Sequence, residues 1–177
     1  DREDPHVSAF GGVHLVTRRE GGIEARAVGA SGDQLADLAA HLIVAFLGRA
    51  YVSGRGAWPG ESRVAGADLA TPVAAALEAG DWWRLGQLFD ENWHQQQRLD
   101  PLLTAPPTRA IEEAVRAAGA WGLKATAARS GGSLLVLCDP RARSQVVGAL
   151  LGGGAVLLPC AFDPAGVTSW IEGGEEA

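Results

Sequence analysis

The chain has 177 residues, 47% of them hydrophobic, with six tryptophans and a formal net charge of −6. That length and apolar content suit one packed domain and exclude a disordered segment, while the acidic balance argues against nucleic acid, which demands a basic face. The sequence contains neither a run of about 18 apolar residues nor a charged-then-apolar leader, so no membrane span or signal peptide is expected.

Residues 13–19 and 23–28 flank Glu20-Gly21-Gly22 and read as a β-hairpin. Ser31 and Gln34 have the spacing of a capping box, in which each side chain satisfies an orphan amide, so a helix should run to about His41. Residues 42–47 form a short apolar run expected as a buried strand. Residues 63–79 read as a helix that Pro72 divides or kinks and Gly80 ends. Trp82, Leu85, Leu88, Phe89 and Trp93 recur at three- and four-residue steps, the mark of an amphipathic helix whose apolar stripe faces a core. Pro101 and Pro106-Pro107 bracket a loop, after which Thr108 can cap a helix whose Glu112 and Glu113 favour the positive end of its dipole. Asp139-Pro140 has N-cap and first-turn residues and opens a helix through about Leu151, closed by Gly152-Gly153-Gly154. Residues 155–162 read as the last strand. Strands separated by helices, with a hairpin in front, make an α+β sandwich: an antiparallel sheet with helices on one face.

Cys138 and Cys160 both sit in apolar runs and are expected as buried free thiols of a cytoplasmic protein. His14, His41 and His94 show no metal-ligand spacing, so no metal site is assigned. The chemistry gathers instead at Gly122-Leu123-Lys124-Ala125-Thr126-Ala127-Ala128-Arg129-Ser130-Gly131-Gly132-Ser133. This stretch sets the only lysine of the chain and a small-residue loop between two β-type runs, the second ending in Cys138-Asp139-Pro140. Such a bend lets backbone approach a ligand closely.

With its neighbours this segment resembles the third motif of the GHMP kinases, which in the heptose-phosphate kinase branch reads approximately Gly-Gly-Lys-Leu-Thr-Gly-Ala-Gly-Gly-Gly-Gly before a strand ending in Cys-Asp-Pro. Upstream, Leu77-Glu78-Ala79-Gly80-Asp81, Leu85-Gly86-Gln87-Leu88, Glu91-Asn92-Trp93 and Arg98-Leu99 look like the branch's long helix. Glu3-Asp4-Pro5-His6-Val7-Ser8-Ala9-Phe10-Gly11-Gly12 is similar to its Gln-Asp-Gln-Tyr-Ala-Ala-Ala-Phe-Gly-Gly. The resemblance implies a ferredoxin-like split βαβ fold. It covers only the second half of such a kinase, because the family's Pro-x-x-x-Gly-Leu-Gly-Ser-Ser loop is absent and the chain has no methionine. Residues 1–177 are therefore expected to be a single C-terminal domain whose nucleotide-binding N-terminal half is missing.

The same resemblance implies roles. Asp4 matches the catalytic aspartate that takes the proton of a sugar hydroxyl. Lys124, Thr126, Arg129, Ser130, Gly131 and Gly132 would lie beside the phosphates of ATP, with Mg2+ carried by the nucleotide. His6, Arg49, Tyr51, Ser53 and Arg55 stand where the branch meets its sugar phosphate. Leu123, Ala127, Arg129 and Ser130 replace family glycines, and a side chain at a position needing positive φ costs about 1 kcal/mol or more. Arg129 can clamp phosphate, since a guanidinium matches its oxygens, or fill the phosphate site. Two readings follow: the C-terminal domain of an ATP-dependent sugar or sugar-phosphate kinase, or a kinase-derived binding or regulatory domain that has lost catalysis. The sugar and the oligomeric state are left open.

Overall fold

A computed structural model describes residues 9–20, 22–48, 67–99, 106–126 and 132–168. Strands β1 (His14–Arg19) and β2 (Gly22–Ala27) pair antiparallel, His14 opposite Ala27 and Arg19 opposite Gly22. Helix α1 (Gly32–His41) starts on the expected capping box: Ser31 Oγ accepts from Gln34 N–H, and Gln34 Oε1 accepts from Ser31 N–H. It runs directly into β3 (Leu42–Phe46).

A 3-10 turn (Ala67–Leu69) leads into α2 (Ala70–Ala79), which Gly80 ends with a left-handed φ of 66°. Pro72 neither divides nor kinks this helix. It sits in the first turn, where an amide hydrogen has no intrahelical partner to lose. The amphipathic stripe folds as α3 (Trp82–Leu99), with Trp82, Leu85, Leu88 and Trp93 buried as expected. Helix α4 (Pro106–Ala117) begins at the proline pair rather than after it, since proline's fixed φ suits a first turn. Thr108 is consequently a buried residue inside the helix and not its cap.

Strands β4 (Ala120–Thr126) and β5 (Ser133–Cys138) follow, then a 3-10 turn capped by Asp139, helix α5 (Arg143–Gly152) and β6 (Val156–Leu158). The last strand is shorter than the apolar run predicts, and Cys160 beyond it is exposed, whereas Cys138 is buried. The four-stranded sheet has the order β4-β5-β3-β6 with every pair antiparallel. Helices α2, α3 and α4 lie in the chain between β3 and β4, and α5 between β5 and β6, which is the split βαβ arrangement.

Alternation along the strands sorts the interior. Ile43, Ala45, Leu123, Leu134, Val136 and Cys138 join Ile111 and Val115 of α4 and Val146 and Leu150 of α5 in one cluster. Leu137, on the other side of β5, joins a second with Leu38 of α1, Leu77 of α2 and Trp82, Leu85 and Leu88 of α3. Trp93, near the end of α3, belongs to the first cluster, so this helix contributes to both.

Candidate functional site

Among the described residues strand β4 pairs with β5 alone, which leaves its other edge open, and a sheet edge needs cover. Helix α3 supplies it. Gln87 Nε2 donates to the Trp121 carbonyl at 2.7 Å, and Asp90 Oδ1 accepts from Leu123 N–H at 3.1 Å. Between these bonds lies Gly122, where an added Cβ would stand 1.8 Å from the Gly86 carbonyl oxygen. Helix and strand therefore touch backbone to backbone, and both glycines are required by closeness rather than by an unusual φ.

Asp90 is itself held. Arg116 of α4 donates to it through Nη2 at 2.9 Å and Nε at 3.3 Å. Arg116 also reaches the buried Glu112 carboxylate at 3.5 Å, which accepts from Trp93 Nε1 at 2.9 Å and from Gln97. Glu112 thus serves a buried network and not the helix dipole. Its carboxylate and that of Asp90 raise the Arg116 pKa against the opposing effect of burial.

Lys124 follows directly. It lies on the same side of β4 as Gly122, and its Nζ sits 5.7 Å from the centre of the Phe89 ring, one helical turn beyond Gly86. Burial lowers its pKa below the ordinary lysine value. Among the described residues no carboxylate pairs with it, so it is an ammonium group held by a ring face, with capacity left for an anion. Two residues on, Thr126 stands opposite Ser133, and Ser133 stands opposite Phe46. Leu47 N–H donates to the Gly132 carbonyl at 2.8 Å. The ends of β4 and β3 and the start of β5 therefore converge, so Gly48 and Thr126 lie at the same end of the sheet.

The Phe10-Gly11-Gly12 segment is fastened elsewhere. Gly12 N–H donates to the Asp163 carbonyl at 2.7 Å, and Val167 N–H to that of Ala9 at 3.3 Å. Gly11 and Gly166 cross with φ of 66° and 68°, each so close that a Cβ on one would strike the other's backbone nitrogen.

Of the residues singled out from the sequence, Lys124, Thr126 and Gly132 stand together at the base of the loop. Asp4, His6, Arg49, Tyr51, Ser53, Arg55, Arg129, Ser130 and Gly131 lie outside the described residues. The polar stretch 92–98 is partly spent within the fold, Gln97 on Glu112 and Gln96 on Asn92. Sequence reasoning missed Gln87 and Asp90. Their signal was a glycine, Gly86, inside a strongly periodic helix, where it weakens the helix unless something approaches closely.

The family model described as GHMP kinases C terminal matches residues 73–155. A Campylobacter jejuni protein described as a sugar kinase superposes with a TM-score of 0.71 at 20% identity, over 96% of this chain and 51% of its own. A D-glycero-D-manno-heptose 1-phosphate kinase from Bacteroides thetaiotaomicron gives 0.71 at 17% identity, over 97% and 49%. Mevalonate kinase of L. major, in complex with R-mevalonate, gives 0.55 at 20% identity over 81% and 45%. No curated protein matches the sequence. The chain spans about half the length of these structures. No helix among the described residues is long and apolar enough to cross a membrane. The segment that matches the GHMP kinase C-terminal model runs from within α2 to the residue before β6, with the Lys124 strand inside it.

Proposed function

We propose that this chain is the C-terminal part of an ATP-dependent sugar or sugar-phosphate kinase, similar to the heptose-phosphate branch, working in the cytoplasm. The observation that carries the reading is Lys124: the only lysine of the chain stands half-buried and, among the described residues, free of carboxylates, at the base of a small-residue loop inside the matched segment. Phosphoryl transfer asks little covalent chemistry of a protein; it needs positive and amide groups around the phosphates and a carboxylate near the attacking hydroxyl. In this reading Lys124, Thr126, Arg129, Ser130, Gly131 and Gly132 face the phosphates. His6, Arg49, Tyr51, Ser53 and Arg55 meet the sugar or its phosphate. The sugar oxygen bonds to the γ-phosphorus, the bond to the β-phosphate oxygen breaks with release of ADP, and Asp4 takes the hydroxyl proton. Magnesium enters with ATP, and the described residues offer no cluster of three or more His, Cys, Asp or Glu for a separate ion.

The nucleotide-binding half belongs to the preceding part of the parent polypeptide. Two features support this. The matched sugar kinases are about twice as long. The β1–β2 hairpin precedes the family match and, among the described residues, forms a sheet of only two strands, which is marginal in water unless completed. Exposed apolar side chains at Leu151, Val156, Leu157 and Leu158 offer further surface for that half to cover.

The test is the parent protein with ATP-magnesium and a panel of hexose and heptose phosphates, read by ADP release and product mass, with Asp4→Asn as control. That variant is expected to lose turnover and keep sugar binding, because a proton acceptor acts mainly in the transition state. A second reading, a non-catalytic binding domain, is favoured by Arg129 and Ser130 standing in place of glycines. Calorimetry showing no nucleotide binding by the parent establishes it and ends the kinase reading.

A further inference from the structure

We propose that Asp90 is a positioning residue for Lys124, setting the place of that ammonium group by holding the main chain of β4 one residue before it. A free edge strand can bend or slide, because nothing on its open side fixes its amides. Here the open side is met at two points only two residues apart, the Trp121 carbonyl by Gln87 and the Leu123 N–H by Asp90. Between them the Gly86 and Gly122 backbones touch, which sets the distance. Asp90 cannot swing away, since Arg116 grips both of its oxygens, and Arg116 is fixed in turn by buried Glu112. Leu123 is fully buried on the opposite side of the strand, so residue 124 has only the side toward α3 available. There it lies over Phe89, the residue next to Asp90.

A carboxylate that merely stabilised the fold could pair with Arg116 anywhere along the two helices. What marks Asp90 as positioning is that one oxygen is spent on a main-chain amide adjacent to the only lysine. The functional weight of that lysine rests on the phosphate reading above, but its location can be measured without any ligand. With lysine carrying the sole isotope label, the chain yields one side-chain spectrum, whose titration reports how buried the amine is. The residues varied are Asp90 on α3 and Arg116 on α4, the pair that holds the strand, while burial sets the direction of the amine's shift.

In the wild-type chain the midpoint lies below the ordinary lysine value, as burial dictates. Asp90→Ala should move it upward, as the strand relaxes and the amine reaches water. Asp90→Asn should move it less than Asp90→Ala, because the amide oxygen can keep both the Leu123 N–H bond and the one Arg116 bond made to that oxygen, although both variants lose the charge pairing and melt earlier. Hydrogen exchange at Leu123 N–H should quicken about tenfold or more in the alanine variant only, the loss of a hydrogen bond worth about 1.4 kcal/mol. A folded Asp90→Ala protein with unchanged lysine titration and unchanged exchange overturns the proposal. Should that variant fail to fold, Arg116→Ala, which frees Asp90 to swing, must move the lysine midpoint upward; if it does not, the proposal is equally overturned. Nucleotide binding by the parent is scored separately, so failure of the phosphate reading leaves these results standing.

Discussion

Gly122→Ala is the sharpest perturbation of the α3–β4 contact. The new methyl would stand 1.8 Å from the Gly86 carbonyl oxygen and 2.5 Å from its carbon, both of them helix backbone with no rotamer to yield. Reaching an ordinary contact of about 3.4 Å requires helix and strand to part by roughly 1.5 Å. The Gln87–Trp121 bond of 2.7 Å and the Asp90–Leu123 bond of 3.1 Å then both exceed hydrogen-bonding distance. One neutral bond contributes about 1 kcal/mol and one to a charged group about 1.5–3, and the strain of overpacking adds about 1–3. The expected loss is about 4 kcal/mol, or roughly 10 °C in melting temperature for a chain of this size. Gly86→Ala is the internal comparison. Its methyl meets the Trp121 Cβ at 2.9 Å, a milder conflict, and alanine returns about 1 kcal/mol of helix propensity. Scanning calorimetry should therefore rank Gly122→Ala well below Gly86→Ala and the wild type. A Gly122→Ala protein melting within about 2 °C of wild type refutes the backbone contact and the edge cover built on it.

Trp93→Ala should cost about 3–5 kcal/mol by denaturant titration, because it empties a fully packed site and removes one of the donors to the buried Glu112 carboxylate. Ser31→Ala removes one arm of the capping box and should cost about 1 kcal/mol in the same assay. Arg141 holds the Asp139 carboxyl at about 2 against an ordinary 3.8, so its stabilisation is present above the ordinary value and is lost as pH falls through about 2. The melting difference between wild type and Arg141→Ala should accordingly be constant from pH 7 to 5 and close between pH 4 and 2; a gap persisting at pH 2 contradicts the pairing. Robust sugar phosphorylation by these 177 residues alone would overturn the assignment of nucleotide binding to another part of the parent.

Local chemistry was legible in the sequence. The Ser31 and Gln34 box, the Gly80 stop, the Asp139-Pro140 start and the stripe from Trp82 to Trp93 all rest on neighbours within one or two turns, and all formed. What escaped depended on partners far along the chain. Glu112 looked like a dipole partner until Trp93 and Arg116 were in place beside it. Cys160 looked buried because its neighbours are apolar, yet β6 pairs only as far as Leu158. At the candidate site the loop's base was readable, because Lys124 and Thr126 are strand residues flanked by β-type runs. Gln87 and Asp90 were not, since edge cover has meaning only once β4 is known to be the edge.

The geometry of that cover also explains why the two polar residues are a glutamine and an aspartate in this order. From Gln87 to Asp90 a helix advances about 4.5 Å, whereas from residue 121 to 123 a strand advances about 6.6 Å. Two side chains of equal length cannot meet both edge groups squarely when the backbones touch at Gly86 and Gly122. The longer glutamine can reach to the Trp121 carbonyl, and the shorter aspartate meets the Leu123 amide close to its own helix. An amide nitrogen is the donor that a carbonyl needs, and a carboxylate is the acceptor that an N–H needs, so an aspartate at position 87 would face the Trp121 carbonyl with no donor, and an aliphatic residue at position 90 would leave the Leu123 N–H with no acceptor. The Gln87→Asp, Asp90→Leu double variant removes donor and acceptor together, and a cover defined by this pattern must lose both bonds in it. Exchange protection at Leu123 N–H surviving in that protein would mean that β4 is held by packing alone, and that Asp90 is not what fixes the strand.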